Sequence, residues 1–372
     1  MPEGTNERRP ASRSGRQEPD AGTSDGLRSR QRATIRDVAE LAGVHPSTVS
    51  RVLNGDDSRA VAPTRQKIRD AAAKLGWRPN SIARSLSVGR SYAIGMSIPS
   101  FSYPPHAAMI AGAERAAELS GNILVVMDSS EDEERLQSQL LRLSDRVDGF
   151  IVSSASLSSR VIPVLEDRKI PFVLLNRRAS GSHRSVIGND EQGVRLAVQH
   201  LFDAGHTRLA YVGVSDEIDT AARRFQAFSE FAREMGVPLD KGAVTRLGHA
   251  LQDVTPQLSA LLAMPEDRRP TALFADNLLT AANCLTTLRS LGASVPEDYS
   301  VVGFDNAPIA AHLSVPLTAV QMPNEAMGAA AVASLLRYLE QGDSDLELVV
   351  NDQPYLEIRG STRPLGRAGR AS

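Results

Sequence analysis

The 372-residue sequence contains one cysteine, one tryptophan and only 4% aromatic residues. A lone cysteine, Cys284, excludes an intrachain disulfide framework and a cysteine-based zinc site. It lies in the apolar stretch AANCLTTL and reads as a buried, inert thiol rather than a nucleophile. No run approaches the roughly 18 apolar residues of a membrane span, and the first residues lack the apolar stretch of a secretion signal. The expected setting is a reducing cytoplasm with no membrane partner. Also missing are a GxGxxG after a strand, a GxxxxGK[ST] loop, a GxSxG elbow and, among seven histidines, an HExxH pair. These absences argue against an enzyme, and no cofactor or metal is expected.

What is present is an ordinary soluble composition, 41% apolar and 23% charged, in a chain too long for one core. The net charge of −2 hides an asymmetry. Residues 1–90 hold 17 Lys+Arg against 10 Asp+Glu, and the remainder holds 25 against 34. A basic head on an acidic body suggests that the head alone meets a polyanion.

The basic head divides into three parts. Residues 1–31 are rich in Arg, Ser, Gly, Glu and Pro and have too few apolar side chains to fold, so a disordered basic tail is expected. Residues 32–79 carry three short helical patterns. In the first, Ile35, Val38, Ala39 and Ala42 share one face behind a Thr34 cap, and Gly43 stops it. The second places Val49, Val52 and Leu53 on one stripe and ends at Asn54-Gly55. The third begins near Pro63 and stacks Ile68, Ala71, Ala72 and Leu75. Two short helices about a glycine turn make a helix-turn-helix, whose second helix presents its first residues to base edges. Residues 80–91 read as a short hinge helix and linker.

From residue 92 to about 365, apolar runs alternate with amphipathic stretches. YAIGMSI, NILVVMD, GFIVSS, PFVLLN, RLAYVGV, TALFAD and YSVVGFD read as strands of parallel sheets covered on both faces. Seven or more such strands make either one large sheet or two lobes. Residues 366–372 form a tail.

The segment Thr34-Ile35, Asp37-Val38-Ala39, Ala42-Gly43-Val44, Thr48-Val49-Ser50-Arg51-Val52 and Asn54 resembles the headpiece of the LacI/GalR family. Arg78-Pro79-Asn80 with Ala83-Arg84-Ser85-Leu86 resembles that family's hinge helix. The likeness continues through Val147-Asp148-Gly149, Gly205-His206, Val295-Pro296-Glu297-Asp298, Val301-Val302-Gly303-Phe304-Asp305 and Arg359-Gly360-Ser361-Thr362. It implies a small all-α headpiece followed by a two-lobed α/β core like that of periplasmic binding proteins, with three crossings between lobes. It also implies a sequence-specific transcriptional regulator, expected to be a repressor whose operator affinity is controlled by a small molecule bound between the core lobes.

By that resemblance His45, Pro46, Ser47 and Arg51 face bases, with Arg51 the best reader because its fork matches guanine O6 and N7. Thr34, Ser50, Asn54 and Thr64 would contact phosphates. Asn80, Ala83 and Leu86 would enter the minor groove, Leu86 as a wedge between base pairs. From the residues alone, each small polar side chain also reads as a cap or a solvated face, and Leu86 as a linker residue.

The resemblance places a ligand in the cleft at the carboxyl ends of the strands. The candidates carried over by position are Ser102, Tyr103, Asp128, Arg224, Asn277 and Asp305. Their chemistry suits a polyol, and a sugar is the leading effector. Alternatives stand beside several of them: Asp128 as a helix cap, Arg224 as a surface residue next to Arg223, Ser102 and Tyr103 as ordinary loop residues. The chain also departs from the family pattern at Pro104-Pro105-His106, Asp276-Asn277-Leu278 and Asn189-Asp190. A constitutive DNA binder with a ligand-free cleft is therefore a rival. The expected assembly is a homodimer on double-stranded operator DNA. A tetramer stays open, although the C-terminal tail lacks a heptad pattern.

Overall fold

A computed structural model describes residues 33–53, 60–77, 89–182, 184–237, 239–342 and 346–365. The expected tails at 1–31 and 366–372, and all but the end of the hinge segment, lie outside the described residues. The chain divides into two units between Arg84 and Ser85.

Among its described residues, the first unit shows three helices around a small core. Helix α1 (Ile35–Ala42) opens with a capping box in which Thr34 and Asp37 each satisfy the other's backbone N–H. It ends at Gly43, whose φ of +67° is a conformation that only glycine adopts readily. Helix α2 (Pro46–Leu53) follows at once, and α3 (Ala62–Lys74) starts with a proline in its first turn. Val38, Ala39, Val49, Val52, Ile68, Ala71 and Ala72 are buried together. Trp77 also packs on this cluster, a contribution that no periodicity in the sequence signals.

The second unit holds two six-stranded sheets. The first lobe contains β1 (Ala93–Ile98), α4 (Pro105–Leu119), β2 (Ile123–Asp128), α5 (Glu133–Leu143), β3 (Gly149–Val152), α6 (Val161–Asp167), β4 (Phe172–Leu175) and β5 (Arg184–Ile187). The chain then enters the second lobe, with α7 (Asp190–Asp203), β6 (Leu209–Val214), α8 (Asp219–Glu234), β7 (Val244–Leu247), α9 (Thr255–Leu262), β8 (Ala272–Ala275), α10 (Leu278–Ser290), β9 (Ser300–Phe304) and β10 (Thr318–Gln321). It returns to the first lobe for α11 (Asn324–Gln341) and β11 (Leu346–Val349), and crosses again to β12 (Tyr355–Glu357). There are three crossings, as a core of this type implies.

The sheet orders are β11-β5-β4-β3-β1-β2 and β12-β10-β9-β8-β6-β7. Every pair is parallel except β10 with β12. Each lobe thus repeats one doubly wound topology, with β1 flanked by β2 and β3, and β6 flanked by β7 and β8. Strand order reverses at those points, which opens a crevice at the strands' carboxyl ends. Central strands such as β1, β4, β6 and β9 are buried along their whole length, because helices cover both faces.

Two glycines set how closely the returning helix sits in the first lobe. A β-carbon on Gly112 of α4 would lie 2.0 Å from the Glu325 carbonyl oxygen. One on Gly328 of α11 would lie 2.0 Å from that of Met109. The family-like Arg359–Thr362 segment closes the other lobe: buried Ser361 donates to the Val301 carbonyl and accepts from the Thr318 N–H. Cys284 is buried in the second lobe, and desolvation pushes its thiol up to about 12.

Candidate functional site

In the headpiece, α2 begins beside His45. The His45 Nδ1 accepts from the Ser47 N–H at 3.3 Å and lies 2.9 Å from the Ser47 hydroxyl. Because Nδ1 accepts, a neutral His45 carries its proton on Nε2 and displays a donor. His45, Ser47 and Arg51 are exposed, and Pro46 is partly exposed, on or next to α2. The Thr34 hydroxyl donates to Asp37 and accepts its N–H, so the α1 cap already uses it. Ser50 and Thr64 are partly buried at α2 and in the first turn of α3. Asn54, Asn80, Ala83 and Leu86 lie outside the described residues.

In the core, a cavity of about 240 Å³ lies between the two lobes. The first lobe supplies Ser100, Ser102, Tyr103, His106, Glu131, Ser153, Asn176 and Arg177, and the second supplies Arg224, His249, Asp276, Asn277 and Asp305. Five of these residues, Tyr103, Asp305, Arg224, Asp276 and Asn277, are linked in one network. Asp305 follows β9 with φ +61° and is 4% exposed. Its carboxylate takes two bonds from Arg224, Nη1 to Oδ2 at 2.8 Å and Nη2 to Oδ1 at 3.0 Å. The Arg224 Nε donates to Asp190 Oδ1 at 2.7 Å, its Nη1 also donates to the Asp276 carbonyl at 2.7 Å, and its plane lies over Phe304. The sequence left Arg224 open to a surface role; the structure buries it, with 3% exposed.

Burial opposes the Arg224 charge, but Asp305 and Asp190 outweigh it and hold the guanidinium well above its ordinary range. Burial would likewise raise Asp190, yet Arg223 and Arg224 keep it below the usual carboxylate range. The pairing suits the arginine fork, whose planar donors match a carboxylate bidentately.

Tyr103 belongs to the first lobe, but its hydroxyl donates to Asp305 Oδ2 across the cleft at 2.8 Å. Its ring packs on the second lobe's apolar cluster and meets His106 edge-on at 4.9 Å between centroids. Desolvation, and then the Asp305 charge, raise Tyr103 well above the ordinary phenol range, so it stays an O–H donor. The loop residue of the sequence reading is thus a strut between lobes.

Asn277 lines the cavity and caps α10, accepting from the Thr280 N–H and donating to Asp276 and Thr280. Ser102 also lines it, exposed after β1. Asp128 does not line this cavity. Its carboxylate accepts from the backbone of Phe101 and Ser130 and holds the β1–α4 loop, whereas Asp132 caps α5. The structure thus does not bring Asp128 together with the other ligand candidates, since its oxygens turn toward its own lobe's loop.

Sequence reasoning missed several lining or bracing groups. Asp190 and Asp276 were seen only as departures from a pattern. Asp190 holds both Arg223 and Arg224. Asp276 is buried, which raises its carboxyl to about 6 against the Val214 N–H and Arg224 that favour its charge. Asn176, Arg177 and Glu131 carried no signal beyond their place after an apolar run or in a polar loop.

A helix-turn-helix headpiece joined to a two-lobed core with a cleft defines a DNA-binding transcriptional regulator and not an enzyme. Residues 34–80 match the description "Bacterial regulatory proteins, lacI family", and residues 198–362 match the periplasmic binding protein-like domain. The chain is 31% identical to the HTH-type transcriptional repressor PurR of Aliivibrio fischeri, over 88% of this chain and 98% of that one. The PurR of Vibrio vulnificus is 31% identical over 90% and 99%. Among solved structures, the lac repressor dimer bound to operator and the anti-inducer ONPF superposes with a TM-score of 0.76 at 26% identity, covering 90% of this chain and all of that one. The transcriptional regulator CelR with cellobiose gives 0.64 at 28% identity, covering 89% and all of that chain. The chain belongs to the lacI family of bacterial regulatory proteins.

Proposed function

We propose that the protein is an operator-binding repressor, acting as a homodimer, whose DNA affinity is set by a small polyhydroxylated molecule, a sugar or sugar derivative, held between the core lobes. The observation that supports this is the Tyr103–Asp305 bond. The protein's own hydroxyl occupies a buried carboxylate from the opposite lobe. A ligand hydroxyl that takes its place removes one interlobe link and installs another. The ligand then favours one interlobe geometry over the other, which is the condition for shifting an equilibrium. The lining offers carboxylates, amides, hydroxyls and guanidinia to a polyol, beside the Tyr103 ring and the His106 and His249 imidazoles. The similar structure of the regulator CelR in complex with cellobiose is in keeping with such an effector.

On the DNA side, Arg51 and His45 are the base readers, with Pro46 and Ser47 beside them at the start of α2. Thr34, Ser50, Asn54 and Thr64 fix the register on phosphates, and Asn80, Ala83 and Leu86 enter the minor groove at the dyad. Ligand binding releases the operator. The test is selection of binding duplexes from a random pool, followed by release with a panel of sugars. A palindrome freed by one compound is expected. A palindrome that no compound releases removes the effector; no enriched sequence removes the repressor itself. Arg51→Ala should cost about 1–3 kcal/mol on the selected site and relax one base position.

A further inference from the structure

Within the cleft, two neighbouring side chains have polar groups left over. Arg177 lines the cavity and donates one bond, Nη1 to the Ala155 carbonyl at 3.2 Å. Its remaining N–H groups have no partner among the described residues. Glu131 and Asp219 lie near enough to favour its charge, but neither forms an ion pair with it, and desolvation brings the guanidinium down to about 10. The Asn176 side-chain amide lines the same cavity, also without a partner among the described residues. The other arginine of the cavity differs: Arg224 makes four bonds, to two carboxylates and a carbonyl.

The backbone supplies a second, independent observation. Asn176 follows β4, the fourth strand of its lobe, with φ +59°. Asp305 follows β9, the fourth strand of the doubly wound order in the other lobe, with φ +61°. In the first lobe the bend residue Asn176 itself donates its N–H to the Val186 carbonyl of the next strand, whereas in the second lobe the residue after the bend, Asn306, donates to Val320. Non-glycine residues at positive φ are uncommon, and such conformations cluster at functional sites. A left-handed residue thus follows the fourth strand of each lobe, Asp305 in one and Asn176, with Arg177 after it, in the other, and all three line the cavity.

We infer that Arg177 and Asn176 form an anion subsite, and that the effector is a monosaccharide-sized polyol bearing one carboxylate or phosphate group. The inference rests on the reading of the cleft as an effector site. Arg177 takes the ligand's oxyanion in the first lobe through its fork, with the Asn176 amide beside it. A ligand hydroxyl replaces Tyr103 on Asp305 in the second lobe. His106 adds an acceptor: its Nδ1 bonds to the Ser100 carbonyl at 2.8 Å and so donates, which leaves Nε2 to receive a hydroxyl. Burial keeps this imidazole neutral by lowering its pKa. Among the described residues two lining carboxylates have no ion-pair partner: Asp276, which is buried and accepts from the Val214 N–H and the Asn277 amide, and Glu131. Glu131 is exposed, so solvent screens its repulsion of an anion. The cavity of about 240 Å³ is below the roughly 300–1,000 Å³ of drug-sized ligand sites and suits one sugar ring.

The test pairs neutral and anionic forms of one sugar. D-glucose, D-gluconate, D-glucuronate and glucose 6-phosphate are titrated calorimetrically into the full-length protein, its Arg177→Gln, Arg177→Lys and Asp305→Asn variants, and each is checked for folding by circular dichroism. The same series is repeated with ribose and ribose 5-phosphate. An acid or a phosphate ester should bind more tightly than its neutral parent, and R177Q should lose roughly 10- to 150-fold for the anion alone, with R177K between. Whether carboxylate or phosphate binds better identifies the oxyanion. Neutral sugars binding as well as their anionic partners, equal losses for both in R177Q, or no binding by any anion would overturn the inference. If neutral sugars alone bind, and lose affinity in D305N, the effector reading survives while the anion subsite falls. If binding is indifferent to both residues, both readings fall.

Discussion

Removing one oxygen atom from Tyr103 tests whether the protein itself holds its lobes together. In Tyr103→Phe, Asp305 keeps both bonds from Arg224, so the buried ion pair is not orphaned. The ring keeps its packing on the second lobe and its edge contact with His106. What is lost is a 2.8 Å hydrogen bond to a charged acceptor that exists only while the lobes are together. Such bonds contribute about 1.5–3 kcal/mol, which is roughly 10- to 150-fold in the equilibrium between lobe arrangements. Cys284 is buried, with its thiol pushed up to about 12, so it will not take a maleimide or a spin label under native conditions. Cysteines placed at exposed Arg142 of α5 and Glu234 of α8 then report the interlobe distance by pulsed electron resonance, in dimers diluted with unlabelled chain. The variant should show a second, longer distance and a changed operator affinity. An unaltered distance distribution together with unaltered affinity would refute the strut.

Three further outcomes follow from the same geometry. Asp190→Ala strips Arg223 and Arg224 of a shared buried carboxylate; breaking such a pair costs about 3–5 kcal/mol, read as a lower urea midpoint, and a loss under about 1 kcal/mol would mean that the network adds little. Gly328→Ala drives a methyl into the Met109 carbonyl, so it should destabilise the core more than Gly121→Ala, which meets open space and carries only the strain of its φ of +72°, about 1–2 kcal/mol; equal losses would mean that α4 and α11 move apart freely. Asp276 is raised from 3.8 to about 6, so its stabilising contribution is full below 3.8 and is lost as pH rises through about 6. Carboxyl carbon resonances assigned by difference from Asp276→Asn should give a midpoint near that value, and one in the ordinary carboxylate range would contradict the burial argument.

Local pattern made the headpiece readable. Val38 with Ala39, Val49 with Val52, and Ile68 with Ala71 and Ala72 repeat at helical spacing, and Gly43 marks the turn. Seven strands were readable for the opposite reason, as unbroken apolar runs. The five that were not readable, RSVI, VTRL, TAVQ, LELV and YLE, have four residues or fewer. Two of them carry an arginine that the fold shelters with aromatic rings: Arg184 on Phe172 and Tyr338, and Arg246 on Tyr211 and Phe225. Asp128 and Asp305 both end an apolar run, and the sequence treats them alike. Only the fold separates them, since Asp128 is held by its own lobe's loop and Asp305 meets Arg224, 81 residues away in the chain.

The harder feature to read is the repetition of one site device in two lobes. PFVLLNRR and YSVVGFDN share an apolar run and a polar ending, with no further identity to flag them as equivalents. Equivalence appears only when β4 and β9 take the same place in two sheets and their next residues, Asn176 and Asp305, take the same left-handed backbone. The two bends then diverge in chemistry. Asn306 is tied back, donating to Gln321 and accepting from Arg359, which leaves Asp305 alone to face the cleft. In the other lobe no described residue ties the Asn176 side chain in this way, and Arg177 donates only to the Ala155 carbonyl among the described residues. One lobe therefore offers an acceptor and the other offers donors. A ligand that satisfies both must itself carry a donor at one end and an acceptor at the other, and it is held in place only while the lobes stand at the distance that its own length sets.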